Sequence, residues 1–223
     1  WPRRQMCKSK RPILFAFCPP RSSEQKLVLE APWQRLSRLN PRYLSVTFGA
    51  GGSTMDATLQ TVTDLLEHSG VPVAPHISCM ATDRDMLCRL LRSYLKAGVE
   101  RLVAFRGDRA EGLSGPGPCQ YASDLVRFVQ EAFPNEFHIE VACYPEFHPE
   151  STSPETEFKY FKEKVDAGAD GATTQYFYNT DCYFQFLDDC ERHGIDIPIT
   201  PGIMPITNYK SLERFSATCG TEI

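Results

Sequence analysis

The chain has no apolar run of 18 residues, so no transmembrane helix is expected. It has no C-x-x-C pair and no ligand spacing that suits a metal, which argues against a zinc site or a redox dithiol. Its nine cysteines, at 7, 18, 79, 88, 119, 143, 182, 190 and 219, are odd in number and scattered. They read as reduced thiols that mostly fill buried apolar space. Basic residues are not in excess: net charge is −4, so neither nucleic acid nor an anionic membrane is an expected partner. Position 1 is Trp rather than Met, as in a processed, cloned or incomplete product. The basic start (Arg3, Arg4, Lys8, Lys10, Arg11) has no signal-peptide core after it, because Pro12 and Pro19-Pro20 interrupt. What remains is a cytoplasmic globular chain of 223 residues, 42% hydrophobic, enough for one large α/β domain or two small ones.

What is there repeats one plan: helix, glycine cap, apolar strand, polar tip. Arg101 to Phe105 reads as a short buried strand, and Arg106-Gly107-Asp108 follows at its C-terminal end. Other strands are expected at Ile13–Phe17, Tyr43–Thr47, Val71–Ile77, His138–Cys143, Ala172–Tyr176 and Ile197–Thr200. Helices are expected from Ser22 or Ser23 to about Leu39, with Pro32 as a kink or restart, and over about 55–68. A third starts at the capping box Thr82-Asp-Arg-Asp85, with Met86, Leu87, Leu90, Leu91, Tyr94 and Leu95 on its apolar face. Further helices span about 122–133, from Ser153-Pro154 to Gly168, about 181–193, and a last one ending near Ala217. Gly70, Gly98, Gly168 and Gly194 each sit where a left-handed helix cap is needed. Such βα regularity predicts a parallel sheet, wound open or closed into a barrel. Seven strands are visible, whereas a (β/α)8 barrel needs eight. Residues 1–11 read as a flexible basic leader and 12–223 as a single domain, its sheet either open or, as a barrel, one strand short.

Three stretches invite a chemical reading. The loop Gly49–Thr54 is glycine-rich but fails the dinucleotide fingerprint, because Thr54 stands where the third glycine belongs. Its backbone N–H groups could still hold an anion. Arg106-Gly107-Asp108 offers a cation, a backbone open to close approach and a carboxylate; a cell-adhesion tripeptide is discarded because nothing else points to secretion. His76, then Tyr144, Glu146 and His148, then Gln175 occupy three further strand tips. Parallel topology puts all such tips on one face, so a shared ligand site is expected there. Spacing does not say what it binds.

Taken together, the tips resemble the methylenetetrahydrofolate reductase family. The matching pieces are Phe15-Ala-Phe-Cys-Pro-Pro-Arg21, Ser45-Val-Thr-Phe-Gly-Ala50, Ala74-Pro-His76, Ala104-Phe-Arg-Gly-Asp108, Tyr121-Ala-Ser-Asp-Leu125, Tyr144-Pro-Glu-Phe-His-Pro-Glu150, Lys164-Val-Asp-Ala-Gly-Ala169, Thr174-Gln-Tyr-Phe177 and Pro201-Gly-Ile-Met-Pro205. The resemblance implies a (β/α)8 barrel with non-covalent FAD. NADH or NADPH reduces the flavin, and 5,10-methylenetetrahydrofolate then accepts hydride, giving 5-methyltetrahydrofolate for methionine supply. It implies that Thr47, His76, Arg106, Gly107, Asp108, Tyr121, Ala122, Tyr144, His148 and Lys164 line the FAD. Asp108 would also face the folate and tune the flavin, Gln175 would hydrogen-bond the pterin, and Phe215 would pack on folate or nicotinamide. The expected partners are the folate substrate and further copies of the chain, a homo-oligomer.

Two departures qualify this. The family has Phe-Glu-Phe-Phe where this chain has Phe15-Ala16-Phe17-Cys18, so Ala16 replaces the general acid. A general acid contributes about 10²–10⁴-fold, and folate reduction is expected to be slowed by that much. Family chains also continue past Ile223 through an eighth strand and helix. Two other readings follow: a flavin-binding or regulatory homologue, and another TIM-barrel enzyme such as a lyase acting on a phosphorylated metabolite.

Overall fold

The structure, a computed structural model, describes residues 13–20, 22–48, 55–78, 84–107 and 119–223. The basic leader, the glycine-rich loop, Thr82 and Asp83 of the capping box before the third helix, Asp108 and most of the long loop after it lie outside the described residues. Among the described residues seven strands alternate with seven helices, and every strand pairs in parallel with its sequence neighbours in the order β1 to β7. This is the plan of a (β/α)8 TIM barrel with one βα unit fewer. Chain contacts group into two compact units, residues 1–75 and 76–223.

The first unit holds β1 (Leu14–Phe17), α1 (Ser23–Ser37), β2 (Tyr43–Val46), α2 (Met55–Ser69) and the start of β3 (Val73–Ser78). The Ser22 hydroxyl caps α1 by accepting from Gln25 N at 3.2 Å. Pro32 lies inside that helix without ending it, on an exposed position. β2 is buried along its whole length, as a strand covered on both faces must be. Its register sets Leu14 opposite Tyr43 on one side and Leu44 opposite Val73 on the other.

The second unit holds the end of β3, α3 (Arg84–Lys96), β4 (Arg101–Phe105), α4 (Ala122–Ala132), β5 (His138–Cys143), α5 (Pro154–Asp166), β6 (Gly171–Tyr176), α6 (Thr180–Arg192), β7 (Ile199–Gly202) and α7 (Tyr209–Cys219). α3 buries Leu87, Leu90, Leu91 and Tyr94, one helical stripe, while Met86 stays exposed. Leu102, Ala104, Ile139, Val141 and Ala172 form the strand core, all at 0% exposure. Each fully buried Leu or Ile there contributes about 2 kcal/mol.

The four expected glycine caps all have positive φ: Gly70 +65°, Gly98 +83°, Gly168 +110° and Gly194 +65°. Gly220, at +72°, is a fifth that the sequence reading missed. β4 is not buried throughout: Leu102 and Ala104 are, whereas Arg101, Val103 and Phe105 alternate with them and are partly exposed. β7 begins two residues later than expected. Pro198 precedes it, and the strand runs through Pro201 to Gly202 with a register irregularity against β6 between Thr173 and Tyr176. Among the described residues β7 pairs only with β6, and proline and an irregular ladder are both tolerated at such an edge. β6 begins at Gly171, one residue earlier than expected, and a Cβ there would stand 2.9 Å from the buried Glu140 carboxylate.

Candidate functional site

Parallel strands in the second unit bring the ends of β3, β4, β5 and β6 to one edge, and the expected polar residues lie there. His76 is in β3, where its ring meets Phe105 edge-on at 5.7 Å. Burial pushes its pKa down to about 4, so the ring is neutral near pH 7. Gly107 follows β4 with φ +78°, and an added Cβ would lie 2.0 Å from Ser78 Oγ. That hydroxyl donates to the Arg106 carbonyl at 2.8 Å, so the tips of β3 and β4 are laced together. The Arg106 guanidinium holds the Glu150 carboxylate through two hydrogen bonds of 2.6 and 2.9 Å. That contact keeps the Glu150 carboxyl below the usual carboxylate range.

The loop after β5 carries Tyr144 and His148, whose rings meet edge-on at 4.7 Å. Glu150 N donates to His148 Nδ1 at 3.1 Å, which leaves the neutral ring's proton on Nε2. Glu157, a buried residue of α5, accepts from His148 N at 3.2 Å and from the Ser151 hydroxyl. Lys164 reaches in from α5: its Nζ donates to Ala142 O at 2.6 Å and lies 5.9 Å from the Tyr144 ring centroid. Burial lowers the Lys164 pKa, while burial first and then the Glu157 charge raise that of Tyr144 to about 12. Tyr121 and Ala122 open α4, whose Asp124 carboxylate accepts from Tyr121 N at 3.0 Å. The exposed Tyr121 ring stacks on Tyr160 at 6.2 Å. Gln175 Oε1 accepts from Tyr176 N at 3.1 Å, and Tyr176 stacks on Phe215 of α7 at 5.8 Å.

Two expected residues belong to the first unit. Thr47 follows β2; its N–H donates to Phe17 O at 2.8 Å, and its buried hydroxyl has no hydrogen-bond partner among the described residues. Ala16 stands exposed in β1. Asp108 lies outside the described residues.

The sequence reading gave no role to Glu150, Glu157, Tyr160 or Tyr176. Glu150 lay within a quoted motif, and its charge opposite Arg106 was a signal. Nothing in the spacing pairs Tyr160 with Tyr121, which sits on another helix.

The family model described as methylenetetrahydrofolate reductase matches residues 3–223. The 5,10-methylenetetrahydrofolate reductase of Salmonella typhimurium is 40% identical over 204 residues, covering 92% of this chain and 68% of its own. That of Pectobacterium carotovorum is 37% identical over 211 residues, covering 95% and 70%. The chain belongs to the methylenetetrahydrofolate reductase family. The methylenetetrahydrofolate reductase (NADH) 1 of Arabidopsis thaliana is 35% identical over 222 residues, 94% of this chain and 38% of that longer relative. Among solved structures, the phosphoenolpyruvate phosphomutase of Streptomyces platensis subsp. rosaceus aligns at TM-score 0.58 and 13% identity, covering 96% of this chain and 76% of its own. An oxaloacetate acetylhydrolase aligns at 0.58 and 11%, covering 92% and 78%. At such identities these two share the fold alone.

A reductase of this family implies a flavin and a nicotinamide reductant in general. The chain's groups can be tested against a flavin nucleotide one by one. Within the second unit, the Lys164 ammonium supplies buried positive charge and Gly107 leaves backbone free of a Cβ. Neutral His76 and the Tyr144–His148 ring pair offer π surface and a hydrogen-bond donor. A large, anionic, ring-bearing molecule needs those kinds of group. The residues present fit it.

Proposed function

We infer that the chain is an FAD-dependent reductase of 5,10-methylenetetrahydrofolate that draws its electrons from NADH or NADPH, with residues 12–223 acting as the catalytic domain. Membership of the reductase family supports the chemistry. The observation that carries the site is the lacing of the β3–β5 tips, Ser78 to Arg106 to Glu150 to His148, beside a buried lysine. Bound FAD would carry the hydride between nicotinamide and folate, while the protein supplies orientation and charge.

In this reading Lys164 and Arg106 favour the anionic parts of the cofactor, and the Gly107 N–H approaches it without side-chain hindrance. His76 stays neutral, so it hydrogen-bonds without adding charge. Tyr121, Ala122, Tyr144 and His148 line the rest, and Thr47 donates from a hydroxyl that has no partner among the described residues. Asp108 tunes the flavin and faces folate, Gln175 meets the pterin, and Phe215 packs on folate or nicotinamide. Ala16 cannot transfer a proton to the folate nitrogen that must leave, so the folate half-reaction is slowed by about 10²–10⁴-fold. The nicotinamide half needs no such acid and survives. The active species is a homo-oligomer in the cytoplasm.

The deciding experiment is the visible spectrum of the purified chain. A flavin band that bleaches with NADH or NADPH is expected. A colourless chain with no affinity for FAD would overturn the proposal. A yellow chain inert with both substrates would favour the second reading, a flavin-binding or regulatory homologue, which Ala16 already motivates.

A further inference from the structure

Tyr176, the buried last residue of β6, sends three contacts to the helix α7 segment. Its ring stacks on Phe215 with planes 14° apart. Its hydroxyl shares a 2.8 Å hydrogen bond with the buried Ser216 Oγ. Its carbonyl accepts from Thr221 Oγ1 at 3.2 Å. A fourth contact turns back: the Tyr176 N–H donates to Gln175 Oε1, so the Gln175 amide is tied to the same residue. Tyr178 adds a brace, donating its hydroxyl proton to Met204 O at 3.1 Å in the stretch that leads into α7. The far end of α7 is seated too, since a Cβ on Gly220 would lie 2.9 Å from Pro149 Cγ.

We propose that Tyr176 is a positioning residue: it fixes the gap between the Gln175 amide and the Phe215 ring, and so sets the slot that admits a pterin or nicotinamide ring. The inference rests on the proposed roles of Gln175 and Phe215. Ser216 adjoins Phe215 on the helix, so pinning its hydroxyl sets how far α7 rotates and where the Phe215 ring points. Phe215 is 46% exposed, which leaves part of its ring for a ligand while Tyr176 backs the other side. A flat ligand held between an amide and a ring depends on that gap, because a shift of 0.5–1 Å forfeits about a quarter to a half of each contact.

Tyr176→Phe keeps the ring and deletes only the hydroxyl; Ser216→Ala breaks the same bond from the other side. The flavin-loaded full chain is titrated calorimetrically with 5-methyltetrahydrofolate and with NADH. Flavin reduction is followed by rapid mixing, and amide hydrogen exchange is read across residues 209–219. Each variant is expected to weaken both ligands about fivefold, the loss of one buried hydrogen bond. The double variant should be no worse than either single. The limiting reduction rate at saturating NADH should stay within about twofold, and exchange in α7 alone should rise about fivefold. Wild-type affinities in Tyr176→Phe and Ser216→Ala, beside a large loss in Phe215→Ala, would overturn the positioning role and leave the subsite standing. Unchanged affinities in both Phe215→Ala and Gln175→Ala would overturn the subsite itself, and this inference with it. Flavin release or faster exchange throughout residues 76–223 would reduce Tyr176 to a structural part and overturn the proposal.

Discussion

Gly107→Ala tests whether the laced strand tips are as tight as their geometry implies. The residue has φ +78°, a conformation that costs an alanine about 1 kcal/mol. The new Cβ would lie 2.0 Å from Ser78 Oγ and 3.1 Å from Ser78 Cβ, so the serine must rotate and give up its 2.8 Å bond to Arg106 O. The lost hydrogen bond is worth about 1 kcal/mol, and the residual crowding about 1 kcal/mol more. The substitution should therefore cost about 3 kcal/mol. Ser78→Ala alone should cost about 1 kcal/mol, and in its background Gly107→Ala should cost only about 2 kcal/mol, because the hydrogen bond is already gone. Urea unfolding of the four proteins, with slopes held equal, measures this cycle. A Gly107→Ala cost below about 1 kcal/mol, or additivity within about 0.3 kcal/mol, would refute the close approach of the two tips.

Burial holds His76 near pKa 4 against an ordinary 6.5, so between those values the unfolded chain binds the proton that the folded one refuses. Stability contributed by the neutral ring is therefore full above about pH 6.5 and falls as pH drops towards 4. At about 1.4 kcal/mol per pH unit this amounts to about 3 kcal/mol at most, less for partial solvent access. His76→Gln should flatten that part of the urea-midpoint profile, and an unchanged profile would refute it. Ser153 Oγ accepts from Thr156 N at 3.2 Å, so Ser153→Ala should cost about 1 kcal/mol in thermal or urea unfolding; no loss would show the cap to be idle. Ala16 is exposed, so Ala16→Glu buries no charge. It should raise folate turnover by about 10²–10⁴-fold with flavin reduction unchanged, and an unchanged folate rate would remove the acid role from that position.

The sequence by itself determined the alternation of helix and strand. Glycines at the helix ends and short apolar runs after them are local devices, readable because their physics spans only a few residues. Ser153-Pro154 fixed the start of α5 for the same reason, and β4 and β5 fell where the apolar runs did. Family motifs placed the chain among the reductases, and parallel order put their polar residues on strand tips. Local signals failed where a neighbour decided. β7 runs through Pro201 and pairs only with β6 among the described residues, and Gly171 in β6 lies so close to Glu140 that a Cβ would stand 2.9 Å from its carboxylate. Only the tertiary structure joined Arg106 to Glu150, Glu157 to His148, and Tyr176 to Phe215 and Ser216. Those contacts cross between elements 9 to 44 residues apart, and their partners are set by how helices pack on the sheet, which no spacing within one element encodes.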